Sequence, residues 1–322
     1  MHCMRLLRLS AVLATLFTVS CGSEGDKNEV AGAGAKGGNG GSSASSGNGG
    51  SGNAINVGGS ANGNGSGAGS GSGGGGGSTE VCDGIDNDNN GITDDVDVGN
   101  DGICDCLLIA TLGLKGQWGN GNIFATWLSQ RSDTGAANLN DAVLTEALLN
   151  KYQVIVVQNV SELGRSYSSA EVAALEKWVK AGGGVMTLIG YSDSSEIANA
   201  NLLLAPYGLS YGAQQILQKQ GGSTVPVTNW TSHPVTQGVL KVGVDNGYPV
   251  QGGTILATED GFNMLGAAEP GAGHVLVWGD EWITYDSEWS GHPDYQVEHF
   301  WLNAIKWLTP AKQCQVPVPP VR

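Results

Sequence analysis

The hydrophobic pattern starts late in the chain. From Leu107 the sequence reads LLIATLGL, an apolar run with no polar alternation; YQVIVVQN (152–159) and VMTLIG (185–190) are two more. Unbroken apolar runs of this length predict strands buried on both faces of a sheet. Between them the spacing turns helical. In NIFATWLSQRS, Ile123, Phe124, Trp127 and Leu128 share one face, and a second helix is predicted at 141–150. SSAEVAALEKWVKAGGG is the clearest helix. Ser169 is placed to cap it, Leu175, Trp178 and Val179 face inward, and the glycines end it. Another helix is expected in SSEIANANLLLAPYG. GTILATED (253–260), FNMLGAAEP (262–270) and GHVLVWGDEW (273–282) then read as paired strands. VEHFWLNAIKWL (297–308) closes the domain as an amphipathic helix carrying Phe300, Trp301, Ile305, Trp307 and Leu308. Alternating buried strands and helices predict an α/β domain, a parallel sheet flanked by helices, over 107–312. A short tail, 313–322, follows.

Composition divides the rest. All nine tryptophans lie beyond residue 106, so the core is there. Residues 22–79 are Gly, Ser, Asn and Ala with almost no large apolar side chain, and such a segment cannot offset its ordering entropy by burial. It reads as a disordered tether spanning on the order of 40 Å. Residues 80–106 hold nine acidic residues and no basic one; 107–322 hold 18 acidic and 11 basic. This balance excludes a nucleic-acid footprint.

Residues 1–21, MHCMRLLRLSAVLATLFTVSC, place Arg5 and Arg8 before an apolar run too short to span a bilayer, which is the pattern of a signal peptide. Thr18-Val19-Ser20-Cys21 resembles a bacterial lipobox, with Thr18 where leucine is usual. That resemblance implies acylation of Cys21, export, and a membrane anchor without a span; Gly22 after the cysteine favours the outer membrane. Four cysteines remain in the exported chain: Cys82, Cys104, Cys106 and Cys314. They allow three connectivities. Cys82–Cys104 with Cys106–Cys314 is favoured, the first closing the acidic loop and the second joining the first strand to the tail.

The acidic stretch CDGIDNDNNGITDDVD has a ligand spacing. From Asp86, oxygen side chains fall at positions 1, 3, 5, 9 and 12 (Asp86, Asp88, Asn90, Asp94, Asp97), with Gly91 at 6 and the Ile92 carbonyl at 7. Calcium takes six to eight oxygens, and alternate residues of a tight loop present them. Asp97, shorter than the usual glutamate, predicts weak binding. A second, poorly spaced loop starts at Asp95. No amphipathic helix flanks the loop, which resembles thrombospondin type 3 or dockerin repeats. It also resembles the CDGIDNDCDG-type motif of secreted myxobacterial proteins, with Asn89 in place of one cysteine. A solvated acidic linker is the competing reading.

The words KWVKAGGGVMTLIG, ANLLLAPYGLSYG, HPVTQGV and GHVLVWGDEWI ahead of FWLNAIKWL resemble the class I glutamine amidotransferase-like superfamily over about 107–310, nearest its ThuA-like and noncatalytic branches. The resemblance implies a flavodoxin-like parallel sheet. It also implies a nucleophile turn after the third strand, here Gly190-Tyr191-Ser192-Asp193-Ser194, which has no cysteine. Ser192 takes the nucleophile slot, and His292 and Asp294 of GHPD complete a candidate triad for a serine hydrolase. The rival is a noncatalytic binding surface at the strand ends. It comprises Gln117, Trp118 and Asn120, Gln158 and Asn159, Tyr191 to Asp193, and Asp280, Glu281, Trp282 and Asp286. Aromatic, amide and acidic groups together suit an envelope glycan or protein ligand.

Overall fold

The three apolar runs become the inner strands of one sheet. In the computed structural model, which describes residues 79–113, 122–160, 165–190, 194–219, 221 and 223–321, β1 (Ile109–Leu112) pairs in parallel with the short β2 (Ala137–Asn138) and with β3 (Val154–Val157). β3 pairs in parallel with β4 (Gly184–Thr187). The chain then leaves the sheet. β5 (Ser210–Tyr211), β6 (Val225–Val227), β8 (Val242–Val244) and β9 (Val250–Gln251) form two small ribbons, β5 with β9 and β6 with β8. It returns through β10 (Thr254–Glu259), β11 (Phe262–Ala268) and β12 (His274–Trp278), with β7 (Asn229–Trp230) at the far edge. β12 enters beside β4 in parallel, and β11, β10 and β7 continue antiparallel. The first five strands of the order β2-β1-β3-β4-β12-β11-β10-β7 follow the flavodoxin-like doubly wound arrangement. The predicted α/β class holds.

Period-two alternation sorts the core onto two faces. Val154, Val156, Met186, Leu276 and Trp278 point to the face covered by α1 (Asn122–Gln130) and α6 (Val297–Leu308). Ile155, Val157, Val185, Val275 and Val277 point to the face covered by α3 (Ser169–Lys180) and α4 (Ser194–Leu204). Leu175, Trp178 and Val179 of α3 are buried as predicted, and so are Phe124, Trp127 and Leu128 of α1, but Ile123 is exposed. The helix expected at 141–150 is a single turn, α2 (Glu146–Leu149), capped by Thr145. The cap of α3 is Ser168, not Ser169. From Ser168 the third residue on is Glu171, so hydroxyl and carboxylate satisfy each other's backbone N–H reciprocally. The last predicted strand stops at Trp278, where the chain turns toward a short helix, α5 (Asp286–Gly291).

The cysteines pair the other way from the favoured expectation: Cys82–Cys106 and Cys104–Cys314. The tail explains it. Thr93 and Gln313 form a parallel bridge, and the Cys314 N–H donates to the Thr93 carbonyl at 2.9 Å, which brings Cys314 beside Cys104. Cys106, two residues on, is left to Cys82. Arg131 adds a second tie, reaching Asp101 at 3.4 Å while its guanidinium lies 4.3 Å from the Trp127 ring centre. The acidic segment is thus a collar fastened to the C-terminal tail and to Arg131 just past α1.

Candidate functional site

At the carboxyl edge of the sheet, β3, β4 and β12 deliver buried polar groups. In open α/β sheets this edge is where ligands bind. After β3 come Gln158 and Asn159, both buried, with Asn159 in the left-handed region (φ 47°). The Gln158 side-chain oxygen is buried and accepts no hydrogen bond among the described residues. After β4 comes Gly190. A Cβ there would fall 2.0 Å from the Glu281 carboxylate, so only glycine leaves Glu281 its place. The Gly190 N–H donates to Glu196 of α4 at 3.4 Å. Two buried glutamates, Glu196 and Glu281, therefore converge on the end of β4, and Tyr285 donates its hydroxyl proton to Glu281. Asp280 accepts the Asp245 N–H at 2.7 Å and the Trp282 N–H at 3.3 Å. Burial pushes the Asp280 carboxyl well above the usual carboxylate range, against those two backbone donors.

Trp282 is half-buried, edge-on to Tyr285, with the Lys219 ammonium 4.9 Å from its ring centre. Asp286 is engaged structurally: it accepts the Ile123 N–H at 2.8 Å and pins the start of α1. Trp278 is fully buried, stacked on Trp230. The proposed binding groups Asn159, Asp280, Glu281 and Trp282 thus share one edge. Gln117, Trp118, Asn120, Tyr191 and Asp193 lie outside the described residues, as do Ser192 and Cys21.

Of the candidate triad, His292 and Asp294 are described. Asp294 is exposed and pairs with Lys241 at 2.9 Å, which draws its pKa below the usual range. The carboxylate facing His292 is Glu288, one helical turn earlier, 3.6 Å from Nε2. The His292 ring stacks on Tyr295 at 4.5 Å. Glu288 is buried. Burial raises its pKa to about 7, and both of its oxygens are buried with no hydrogen-bond partner among the described residues. Glu288 carries no periodic signal in the sequence; an i, i+4 spacing from His292 on a six-residue helix is its only trace.

The acidic collar contains two copies of one loop, offset by eleven residues. In the first, Asp86 accepts the N–H groups of Asn90 and Gly91 at 3.0 and 2.8 Å, and Asn90 accepts that of Ile92 at 2.8 Å. In the second, Asp97 accepts those of Asp101 and Gly102 at 3.0 and 3.2 Å, and Asp101 that of Ile103 at 3.0 Å. The second loop therefore starts at Asp97, not Asp95. Asp94 is turned onto the Asp83 and Gly84 N–H groups, and Asp97 onto its own loop. The carboxylates whose oxygens gather within 4.8 Å of one another are Glu80, Asp88 and Asp95. One Asp95 oxygen is buried without a hydrogen-bond partner. An all-oxygen set with a buried orphan oxygen fits a hard divalent cation. Glu80 and Asp95 lie off the spacing template and were not legible from it.

No family profile matches the chain, and no curated protein matches it. Solved structures that are similar include cytoplasmic protein STM1381 from Salmonella typhimurium LT2, at 15% identity and TM-score 0.49, covering 63% of this chain and all of that one. Cytoplasmic protein STM3548 from Salmonella typhimurium is similar at 17% identity and TM-score 0.44, with 63% and 100% covered. A ThuA-like protein from Bacteroides uniformis is similar at 14% identity and TM-score 0.41, with 62% and 90% covered.

Proposed function

We propose that this chain is an exported lipoprotein of the cell envelope whose amidotransferase-like α/β domain binds a ligand rather than turning one over. In this reading the acylated Cys21 anchors the chain in the outer membrane and residues 22–79 are the tether. Among the described residues no helix is long and apolar enough to cross a membrane. Two disulfides suit an oxidising compartment. The collar holds calcium through Glu80, Asp88 and Asp95, with Asp86, Asn90 and the Ile92 N–H shaping the first loop. The metal's part is structural: it neutralises a cluster of like charge.

The observation that carries the binding reading is the buried polar edge formed by Gln158, Asn159, Asp280 and Glu281 beside the half-buried Trp282. Fixed polar groups beside an aromatic ring orient a ligand. The ligand class that suits them is an envelope glycan. The test is retention of envelope polysaccharide by the immobilised protein, beside Trp282→Ala. Retention by the wild type, reduced about tenfold in the variant, is expected for the loss of an aromatic contact of 1–2 kcal/mol. Equal retention by both, or none by either, refutes the assignment.

A further inference from the structure

A second concave surface lies at the opposite, amino edge of the sheet, where β12 begins at His274. It is a groove of about 990 Å³ between the C-terminal half of α6, the turn following Pro234, and the tail Pro317–Val321. That volume is at the upper end for small-molecule sites. Its walls are held. The Gln315 side-chain N–H group donates to the carbonyls of Lys306, Thr309 and Pro310 at 3.2, 3.0 and 3.3 Å, and so ties the tail to the end of α6. The Asn303 amide donates to the Val235 and Gln237 carbonyls at 3.2 and 2.8 Å and ties α6 to the facing turn. Cys104–Cys314 fixes the root of the tail.

The chemistry of the groove departs from that of the chain. The net charge of the chain is −15, yet no aspartate or glutamate lines the groove. Lys306 does line it, and its ammonium has neither ion pair nor hydrogen bond among the described residues. Burial lowers the Lys306 pKa, so the cation is partly desolvated with no counter-charge. His274 also lines the groove, and its Nδ1 is buried without a partner. The carboxylate that acts on His274 is Glu269, which lies outside the lining. The half-buried Trp307 ring, stacked on His274 at 4.2 Å, and Pro319 add flat apolar surface.

We propose that this groove is a binding site for an anionic saccharide, with Lys306 taking the charge and Trp307 and the tail prolines taking the apolar face of the sugar ring. A carboxylate or a phosphate on the sugar satisfies the same cation. The site is independent of the carboxyl edge and of the lipid anchor.

The test is calorimetric titration of the full chain with tetragalacturonate, glucose 6-phosphate and, as the neutral control, maltotetraose. Lys306→Gln is compared with Lys312→Gln, an exposed lysine off the groove; unchanged melting of Lys306→Gln shows that it is folded. At least one anion is expected to bind, with affinity reduced about fivefold or more by Lys306→Gln, the loss of one charge-assisted hydrogen bond. Lys312→Gln should bind as the wild type does. Binding of tetragalacturonate alone assigns a carboxylated sugar, and of glucose 6-phosphate alone a phosphorylated one. Binding of neither, binding untouched by Lys306→Gln, or equal binding of maltotetraose overturns the proposal.

Discussion

Glu288 shows how far one side chain's surroundings set its chemistry. Its carboxylate lies against the Gly243 backbone, where a Cβ would fall 2.3 Å from it, with the Thr224 hydroxyl and the Tyr295 ring alongside. From its own helix end it faces His292; from the loops opposite it feels Lys219 and Asp245. Burial raises its pKa from 4.5 to about 7, partly countered by the Lys219 ammonium. The folded chain thus holds this proton more tightly than the unfolded chain. The stability it contributes is fully present below the unfolded value and is lost as pH rises through about 7. A shift of that size is worth ~3 kcal/mol. Urea unfolding between pH 5 and pH 8 should show the wild type losing a component of that order that Glu288→Gln, which does not titrate, lacks. The same pH slope in both proteins would remove Glu288 from the account.

At the scale of an element, the collar is two short loops with one hydrogen-bond pattern, each built by an aspartate that folds the chain over its own carboxylate. The loops differ at the third position, Asp88 in the first and Gly99 in the second. The second copy therefore lacks a carboxylate there, and Asp88 of the gathered carboxylates Glu80, Asp88 and Asp95 belongs to the first. A cation that binds only this folded arrangement must raise stability by mass action. With affinity in the extracellular range, ~0.1–1 mM, about 5 mM calcium should add roughly 1–2 kcal/mol. The melting temperature is expected to rise with calcium in the wild type, less with magnesium, and not at all in Asp88→Ala/Asp95→Asn. No response in the wild type would reduce the collar to a solvated acidic segment.

For the whole molecule, the second disulfide matters more than the first. Cys104–Cys314 joins residues 210 apart, and Cys82–Cys106 joins residues 24 apart. In the loop-entropy account, the longer closure restricts the unfolded chain by about 5 kcal/mol and the shorter by about 3. Under non-reducing conditions, denaturant unfolding should show Cys104→Ser/Cys314→Ser less stable than Cys82→Ser/Cys106→Ser. The reverse order would mean that the collar, and not the chain closure, dominates.

The sequence by itself determined the sheet and its helices. Buried strands and amphipathic helices are read from local periodicity: every residue of Val154–Val157 is buried, and in α3 the buried Leu175, Trp178 and Val179 recur at helical spacing. The segment between α4 and β10 carried no such pattern: its strands are two or three residues long, and their partners lie up to 41 residues away. Tertiary structure alone decided which cysteine meets which, because two residues of a Cys-x-Cys step are equivalent until the tail arrives beside one of them. It also decided that Glu288 rather than Asp294 faces His292, and that Glu80 and Asp95 join Asp88. Residues remote in the chain become neighbours only when the elements between them pack, and no local period records that distance.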